Sequence, residues 1–157
     1  ALEIARGKGF VTAQVVISPQ SPLHRLRGIY QQVASGLRTR EEDHALKSVI
    51  DTWLFSIEER LLSIPGCTDD DAQLRAATER EIETSLSSIS EVNAALAAAL
   101  RTYYRANNAG DFATAQAALG WIAAEPTIGR DFRAKAGIRG DIDDAAAFTG
   151  AKIKPQI

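Results

Sequence analysis

The sequence predicts a mainly α protein: a helical bundle around one long helix, at about residues 71–107, with a single N-terminal β-strand at about residues 10–17. Three observations predict it. No Pro or Gly interrupts Asp71 to Asn107, and Ala94 to Leu100 is built only of Ala and Leu. Within that stretch Leu74, Ala77, Ile82, Leu86, Ile89, Val92, Leu96, Leu100 and Tyr103 recur mostly at steps of three or four, the spacing of one apolar stripe on an α-helix. Phe10 to Ile17 (FVTAQVVI), by contrast, is rich in β-branched residues and alternates rather than turning. A helix over residues 71–107 would be roughly 55 Å long, longer than a small domain is wide. Other helices must therefore pack along it, or part of its stripe must meet another chain.

Taken in order, Ala1 to Arg6 reads as a helix end, with Gly7 and Gly9 just past it. In the strand, Val11, Ala13, Val15 and Ile17 form a wholly apolar face, while Phe10, Thr12, Gln14 and Val16 form a mixed one. A lone strand cannot satisfy its own backbone groups, so it has to join a sheet, and only the weak Ala151-Lys-Ile-Lys offers a partner within the chain. Ser21 and Pro22 match an N-cap and first helical position, opening a helix with Leu23, Leu26, Ile29, Tyr30, Val33 and Leu37 inward and Arg25 and Arg27 largely off the stripe. Asp43 is the expected cap of the next helix, whose inward residues are Leu46, Val49, Ile50, Trp53, Leu54, Ile57, Leu61 and Ile64, and which Pro65-Gly66 ends. Asp69 to Asp71 puts acid at the start of the long helix, where the macrodipole favours it. After Gly110, Asp111 caps a short helix with Phe112, Ala115, Ala118, Leu119 and Ile122 inward. Arg130 to Ala136 forms one or two turns ended by Gly137, and Asp144 to Phe148 is a last weak helical stretch. The domain division is residues 1–20, helix end and strand; 21–150, helical bundle; and 151–157, tail.

A chain of 157 residues suits one domain and buries roughly two-thirds of its unfolded surface. The net charge of −2 conceals an uneven distribution. Residues 1–40 hold six bases and one acid, 41–91 four bases and thirteen acids, and the remainder eight bases and six acids. Six dispersed cations make a weak nucleic-acid signal, and solvated surface is the simpler reading. A single cysteine, Cys67, excludes an internal disulfide and a cysteine-based metal site. No apolar run reaches the ~18 residues of a membrane span and no signal peptide is present, so the expected location is cytoplasmic. The chain contains no Met and opens as though within a helix, so the expectation is a piece of a longer polypeptide.

No catalytic constellation is legible. Gly7-Lys8-Gly9 lacks the preceding strand and following helix that cradling a phosphate requires. His24 and His44 stand far apart, with no Glu or His at metal-binding helical spacing. Asp141-Ile-Asp-Asp resembles part of a calcium loop but has no bidentate Glu at the twelfth position. Arg139-Gly140-Asp141 reads as a turn, and Trp53, Trp121, Tyr103 and Tyr104 read as packing anchors. The expectation is no catalytic, cofactor-binding or metal-binding residue. Candidate interaction residues are Val11, Val15 and Ile17 on the strand and Arg25 and Arg27 on the helix after it.

Three segments together resemble one family. Ala1-Leu-Glu-Ile-Ala-Arg-Gly-Lys-Gly followed by Phe10 to Pro19 resembles the helix, Gly turn and second sheet strand that follow the phosphate-binding loop of bacterial P-loop ATPases. Pro22-Leu-His-Arg-Leu-Arg-Gly-Ile-Tyr resembles the helix after that strand in the AAA+-like ATP-binding proteins of bacteriophage-exclusion (BREX) systems. Leu119-Gly-Trp-Ile-Ala-Ala-Glu-Pro and Phe132-Arg-Ala-Lys-Ala-Gly-Ile-Arg-Gly-Asp-Ile-Asp-Asp are similar to the same family. The resemblance implies an internal portion between the phosphate-binding loop and the acidic Walker B strand of an ATPase acting in phage defence. ATP and Mg²⁺ are then implied for the parent and not for these residues. The implied partner is the rest of the parent, with pairing between copies through the strand as a further route; nucleic acid is conceivable for the parent but unsupported here. The alternative is a stand-alone helical protein-interaction module. The two differ in a simple observation: a portion of a larger sheet protein exposes Val11, Val15 and Ile17, whereas a scaffold closes its surface.

Overall fold

The computed structural model describes residues 2–20, 22, 26–63, 71–125 and 130–139. Its helices, in order, are α1 (Leu2–Gly7), α2 (Leu26–Ser35), α3 (Leu46–Leu62), α4 (Asp71–Val92), α5 (Ala94–Asn108), α6 (Phe112–Ile122) and α7 (Arg130–Ala136). The fold is mainly α, as the sequence predicts. The Ser21 cap, Arg25, Ile64 to Asp70 with Cys67, and everything from Gly140 onward lie outside the described residues.

The expected long helix is two helices. Asn93 leaves helical geometry at φ −149°, ψ 93°, and its side-chain oxygen accepts the Leu96 N–H at 2.9 Å as an N-cap. The chain reverses there, so α4 and α5 form an antiparallel hairpin. Arg101 of α5 pairs with Glu83 of α4, and Arg105 reaches back further to Glu79, as an antiparallel pairing requires. Folding in two resolves the length difficulty, because each helix covers the apolar stripe of the other. A continuous helix of this length would leave most of that stripe without cover.

The core sits where α3, α4, α5 and α6 meet. Ile57, Ile82, Leu86 and Tyr103 are its largest fully buried side chains, joined by Leu100, Leu119, Trp121, Ile122, Phe132 and Ile138. Ala97, Ala99, Ala106, Ala115 and Ala118 are buried between helices, and their small side chains allow close approach of the helices. Trp53 and Tyr104 pack against this core half-buried, as anchors at its margin. Tyr30 of α2 reaches it through a hydroxyl that donates to the Ile122 carbonyl at 2.7 Å.

Helix ends follow local chemistry. Asp111 caps α6 by accepting the Thr114 N–H at 3.1 Å, as expected. The chain leaves α5 through Gly110 at φ 71°, with the Asp111 N–H bonded to the Ala106 carbonyl at 2.9 Å. That left-handed turn is the usual work of glycine. At the end of α6 the same turn is made by Ala124, φ 59°, whose methyl group is buried. Two local expectations are corrected. Asp43 does not cap α3: His44 takes φ 64°, Ala45 occupies the cap position, and Asp43 instead pairs with Arg38 at 3.2 Å. Phe112 does not face inward but is 73% exposed, because the first residue of α6 projects past the end of the core.

Residues 10–17, expected as a β-strand, form no ladder among the described residues. One antiparallel bridge holds them, between Thr12 and Arg38.

Candidate interaction surface

The N-terminal segment is placed by three local devices. The Phe10 N–H bonds the Ala5 carbonyl at 3.1 Å and the Gly9 N–H bonds the Arg6 carbonyl at 2.9 Å, closing α1 with Gly9 at φ 81°. Thr12 then exchanges both backbone bonds with Arg38, at 2.9 and 2.7 Å. Further on, the Val16 N–H donates to the Gln32 Oε1 at 2.9 Å, which tethers the segment to α2.

In an antiparallel pair that exchanges both bonds, the flanking residues turn their backbone groups the other way. Val11 and Ala13 therefore present N–H and C=O groups on the edge away from Arg38, and neither has a hydrogen-bond partner among the described residues. Large exposed apolar side chains lie on the same segment and on α1 before it. Nine are exposed among the described residues, and six of them fall within the first 17 residues: Leu2, Ile4, Phe10, Val11, Val16 and Ile17. Apolar exposure is thus concentrated on one short segment instead of being scattered singly, which marks an interaction surface.

Of the residues singled out in the sequence, Val11 and Ile17 are exposed here, at 46% and 51%, while Val15 is half-buried. Arg27 is exposed on the first turn of α2, and Arg25 lies outside the described residues. The structure therefore gathers Val11, Val15 and Ile17 on one segment but does not bring a described basic cluster to it. Phe10 and Val16, assigned to the mixed face, are more exposed than the apolar face, at 62% and 63%. Without a ladder the strand alternation does not govern which side meets solvent. Val11 also lines a cleft of about 630 Å³ with Gly9, Arg40, Glu42 and Val49.

Several polar groups elsewhere are tied to one another, while Thr78 Oγ1 and Trp121 Nε1 are buried without a hydrogen-bond partner among the described residues. Arg101 Nε and Nη2 donate to the two Glu83 carboxylate oxygens at 2.6 and 2.7 Å. The hydrogen bond from Arg101 holds the Glu83 carboxyl below its ordinary range, and reciprocally raises the guanidinium. The Tyr103 hydroxyl donates to Asp51 Oδ1 at 2.5 Å, and Lys47 binds the other oxygen of the same carboxylate. Burial, reinforced by that carboxylate, pushes the Tyr103 hydroxyl up, and the bond to Asp51 pushes Lys47 up. Burial alone lifts Tyr30 to about 12. Asp111 is drawn down to about 2 by the Thr114 hydroxyl and N–H, with Lys135 adding to them. His44 Nδ1 lies 2.6 Å from the Ser35 carbonyl, so that nitrogen carries the proton and the ring serves the turn before α3. Among the described residues no group of three or more His, Cys, Asp or Glu is placed to hold a metal, and no helix is long and apolar enough to cross a membrane. None of these groups forms a nucleophile–base pair.

The family described as BREX system ATP-binding protein BrxC/D matches residues 1–153. The chain belongs to that family. No match was found among curated proteins or among solved structures. In this member of the family the unpaired edge falls within residues 10–17, while Arg101, Arg105 and Arg60 pair with acids of α4.

Proposed function

We propose that residues 1–157 form the largely helical, non-catalytic portion of a cytoplasmic P-loop ATPase of the AAA+ type that acts in phage defence. The segment from Phe10 to Ile17 docks on the nucleotide-binding sheet of the parent ATPase. One observation carries this reading: Phe10, Val11, Val16 and Ile17 are exposed on the segment whose Val11 and Ala13 backbone groups have no partner among the described residues. Such an edge is satisfied by strand addition, in which backbone bonds supply affinity and alternate side chains supply specificity. ATP and Mg²⁺ belong to the parent's phosphate loop and acidic strand, and these residues act by contact, passing movement between the nucleotide site and the helices.

The test is made on the parent. Val11→Asp with Ile17→Asp puts charge on the docking side while leaving the buried core of α3 to α6 untouched. We expect loss of ATP hydrolysis by the parent with the helical content of this portion preserved. Unchanged hydrolysis by the double variant refutes the docking. A parent with no Gly-Lys-Ser/Thr loop within about 30 residues upstream of Ala1, the reach of a strand–loop–helix unit, refutes the ATPase assignment itself. The second reading, a stand-alone helical interaction module, is favoured by the closed core around Tyr103, and predicts a discrete monomer that leaves the ATPase unaffected.

A further inference from the structure

The break at Asn93 is small beside what surrounds it. A single residue leaves helical geometry, yet its N–H still bonds the Ile89 carbonyl at 2.7 Å and its carbonyl still accepts the Ala97 N–H at 3.2 Å. Both ordinary helical bonds of Asn93 are thus kept through the reversal. What the reversal forfeits is the set of bonds that the first N–H groups of α5 would make to the last carbonyls of α4. Asn93 returns one of them, through its side chain, to Leu96. Meanwhile Ala94 and Ala95 are strong helix formers, no Gly or Pro lies between Asp71 and Asn107, and Leu86, Ile89, Val92, Leu96, Leu100 and Tyr103 keep helical spacing across the break. The local sequence is as well suited to one straight helix as to the hairpin.

In a single copy straightening is prevented by the hairpin's own contacts. It would uncover Ile82, Leu86, Leu100 and Tyr103 and part Arg101 from Glu83 and Arg105 from Glu79. A second copy removes that obstacle, because every one of these contacts can form again between chains. We propose that Asn93 is a hinge at which the α4–α5 hairpin opens into one continuous helix, so that two copies exchange α5 to α7. The closed monomer and the exchanged dimer then have the same core and the same ion pairs, and differ at the hinge and in the entropy of association. Their balance is set by residue 93 and by concentration. This exchange uses the helical core and does not involve the Phe10 to Ile17 edge, so it stands or fails separately from the docking proposed above.

Asn93→Ala deletes the cap and favours helix at the same position. Together these shift each hinge roughly tenfold toward the straight form. A dimer contains two hinges, so its dissociation constant falls by about a hundredfold if the two act independently. The experiment is size-exclusion chromatography with light scattering over a concentration series, for the native chain, Asn93→Ala and the cap-preserving Asn93→Asp. Each is also made with Glu79→Cys, Arg105→Cys and Cys67→Ser, and treated with a short thiol-to-thiol cross-linker. We expect Asn93→Ala to dimerise at concentrations where the native chain and Asn93→Asp are monomeric, and its cross-link to join two chains. An Asn93→Ala chain that stays monomeric throughout, or a dimer whose cross-links lie only within chains, overturns the proposal. Should Asn93→Ala fail to fold, the native-Asn93 cysteine variant refolded at high concentration decides. Between-chain product supports the exchange, and within-chain product alone refutes it.

Discussion

Replacing Tyr103 by Phe tests the contact that ties the hairpin to α3. The ring of Tyr103 is 1% exposed at the centre of the core, and its hydroxyl donates to Asp51 Oδ1 at 2.5 Å across 52 positions of sequence. Phe keeps the ring, so no large cavity opens, and the loss is confined to the hydroxyl's bonds to Asp51 and Asn107. A hydrogen bond to a charged group contributes about 1.5–3 kcal/mol. The Asp51 side chain is 38% exposed and remains bound to Lys47, so water and the ammonium soften the loss, which places the cost near ~1.5 kcal/mol. For a domain of this size that lowers the melting temperature by about 3–6 °C. Urea unfolding of the native chain, Tyr103→Phe, Asp51→Ala and the double variant closes a thermodynamic cycle. The coupling between the two side chains is expected at about 1 kcal/mol. Costs that simply add, to within ~0.3 kcal/mol, would show that the short contact does not contribute and refute the reasoning.

Other outcomes follow from the same groups. Asp111 sits at about 2 when folded against an ordinary 3.8, so its stabilisation is complete above 3.8 and is lost as the pH falls through that window toward 2. Asp111→Asn, which still caps α6, should flatten that part of the acid limb of a stability–pH curve; an unchanged limb argues against the cap's charge. Tyr30 has the opposite sense. Raised from 10.0 to about 12 because burial disfavours the phenolate, it contributes stability that is complete below 10 and lost as the pH climbs toward 12. Ultraviolet titration of Tyr30→Phe should lack the tyrosinate step near 12 that the native chain shows. On α5, Ala99→Glu places a carboxylate at a site with 0% exposure and should cost about 4 kcal/mol or more. Ala98→Glu, at a half-buried position lining a cleft of about 370 Å³ with Arg101, Arg105 and Lys135, should cost under about 1 kcal/mol by denaturant melt. Equal costs would contradict the burial described for the two positions.

What could be read in advance was whatever depends on neighbours in sequence. Asp111 as a cap, Gly110 and Gly137 as left-handed exits, and the inward set Ile50, Ile57, Ile82, Leu86, Leu100 and Tyr103 are consequences of helical period and turn chemistry. The reversal at Asn93 carries no Gly or Pro signal; it rests on Asn as an N-cap residue, which also starts a helix. Two signals pointed to it: Asn followed by Ala-Ala-Leu, and a pattern too long to cover itself. Asp43 departs from the expected cap for a different reason. Its competing partner Arg38 and the left-handed turn at His44 are tertiary facts that no local window contains. At the interaction surface the identity of the apolar segment was legible, but the order of exposure along it was not. That order depends on the single bridge to Arg38 and the tether to Gln32.

The hairpin also changes the meaning of the uneven charge. Residues 41–91 carry thirteen acids against four bases, while the chain that follows is net basic. In an extended reading such blocks suggest separate surfaces for separate partners. Folded back at Asn93, the acidic α4 lies against the basic side of α5: Glu83 takes Arg101, Glu79 takes Arg105, and Arg60 of α3 lies 3.8 Å from Glu81. Most of these side chains are part-exposed, so each pair contributes little to stability alone. Their effect is on register. Sliding α5 by one turn would keep only one of the two pairings, Arg101 opposite Glu79 or Arg105 opposite Glu83 according to direction, whereas the observed register satisfies both. Charge therefore specifies how the two halves of the hairpin align, and small apolar side chains supply the close approach. The N-terminal edge takes no part in this pairing, and the Val11 and Ala13 backbone groups stay without a partner among the described residues.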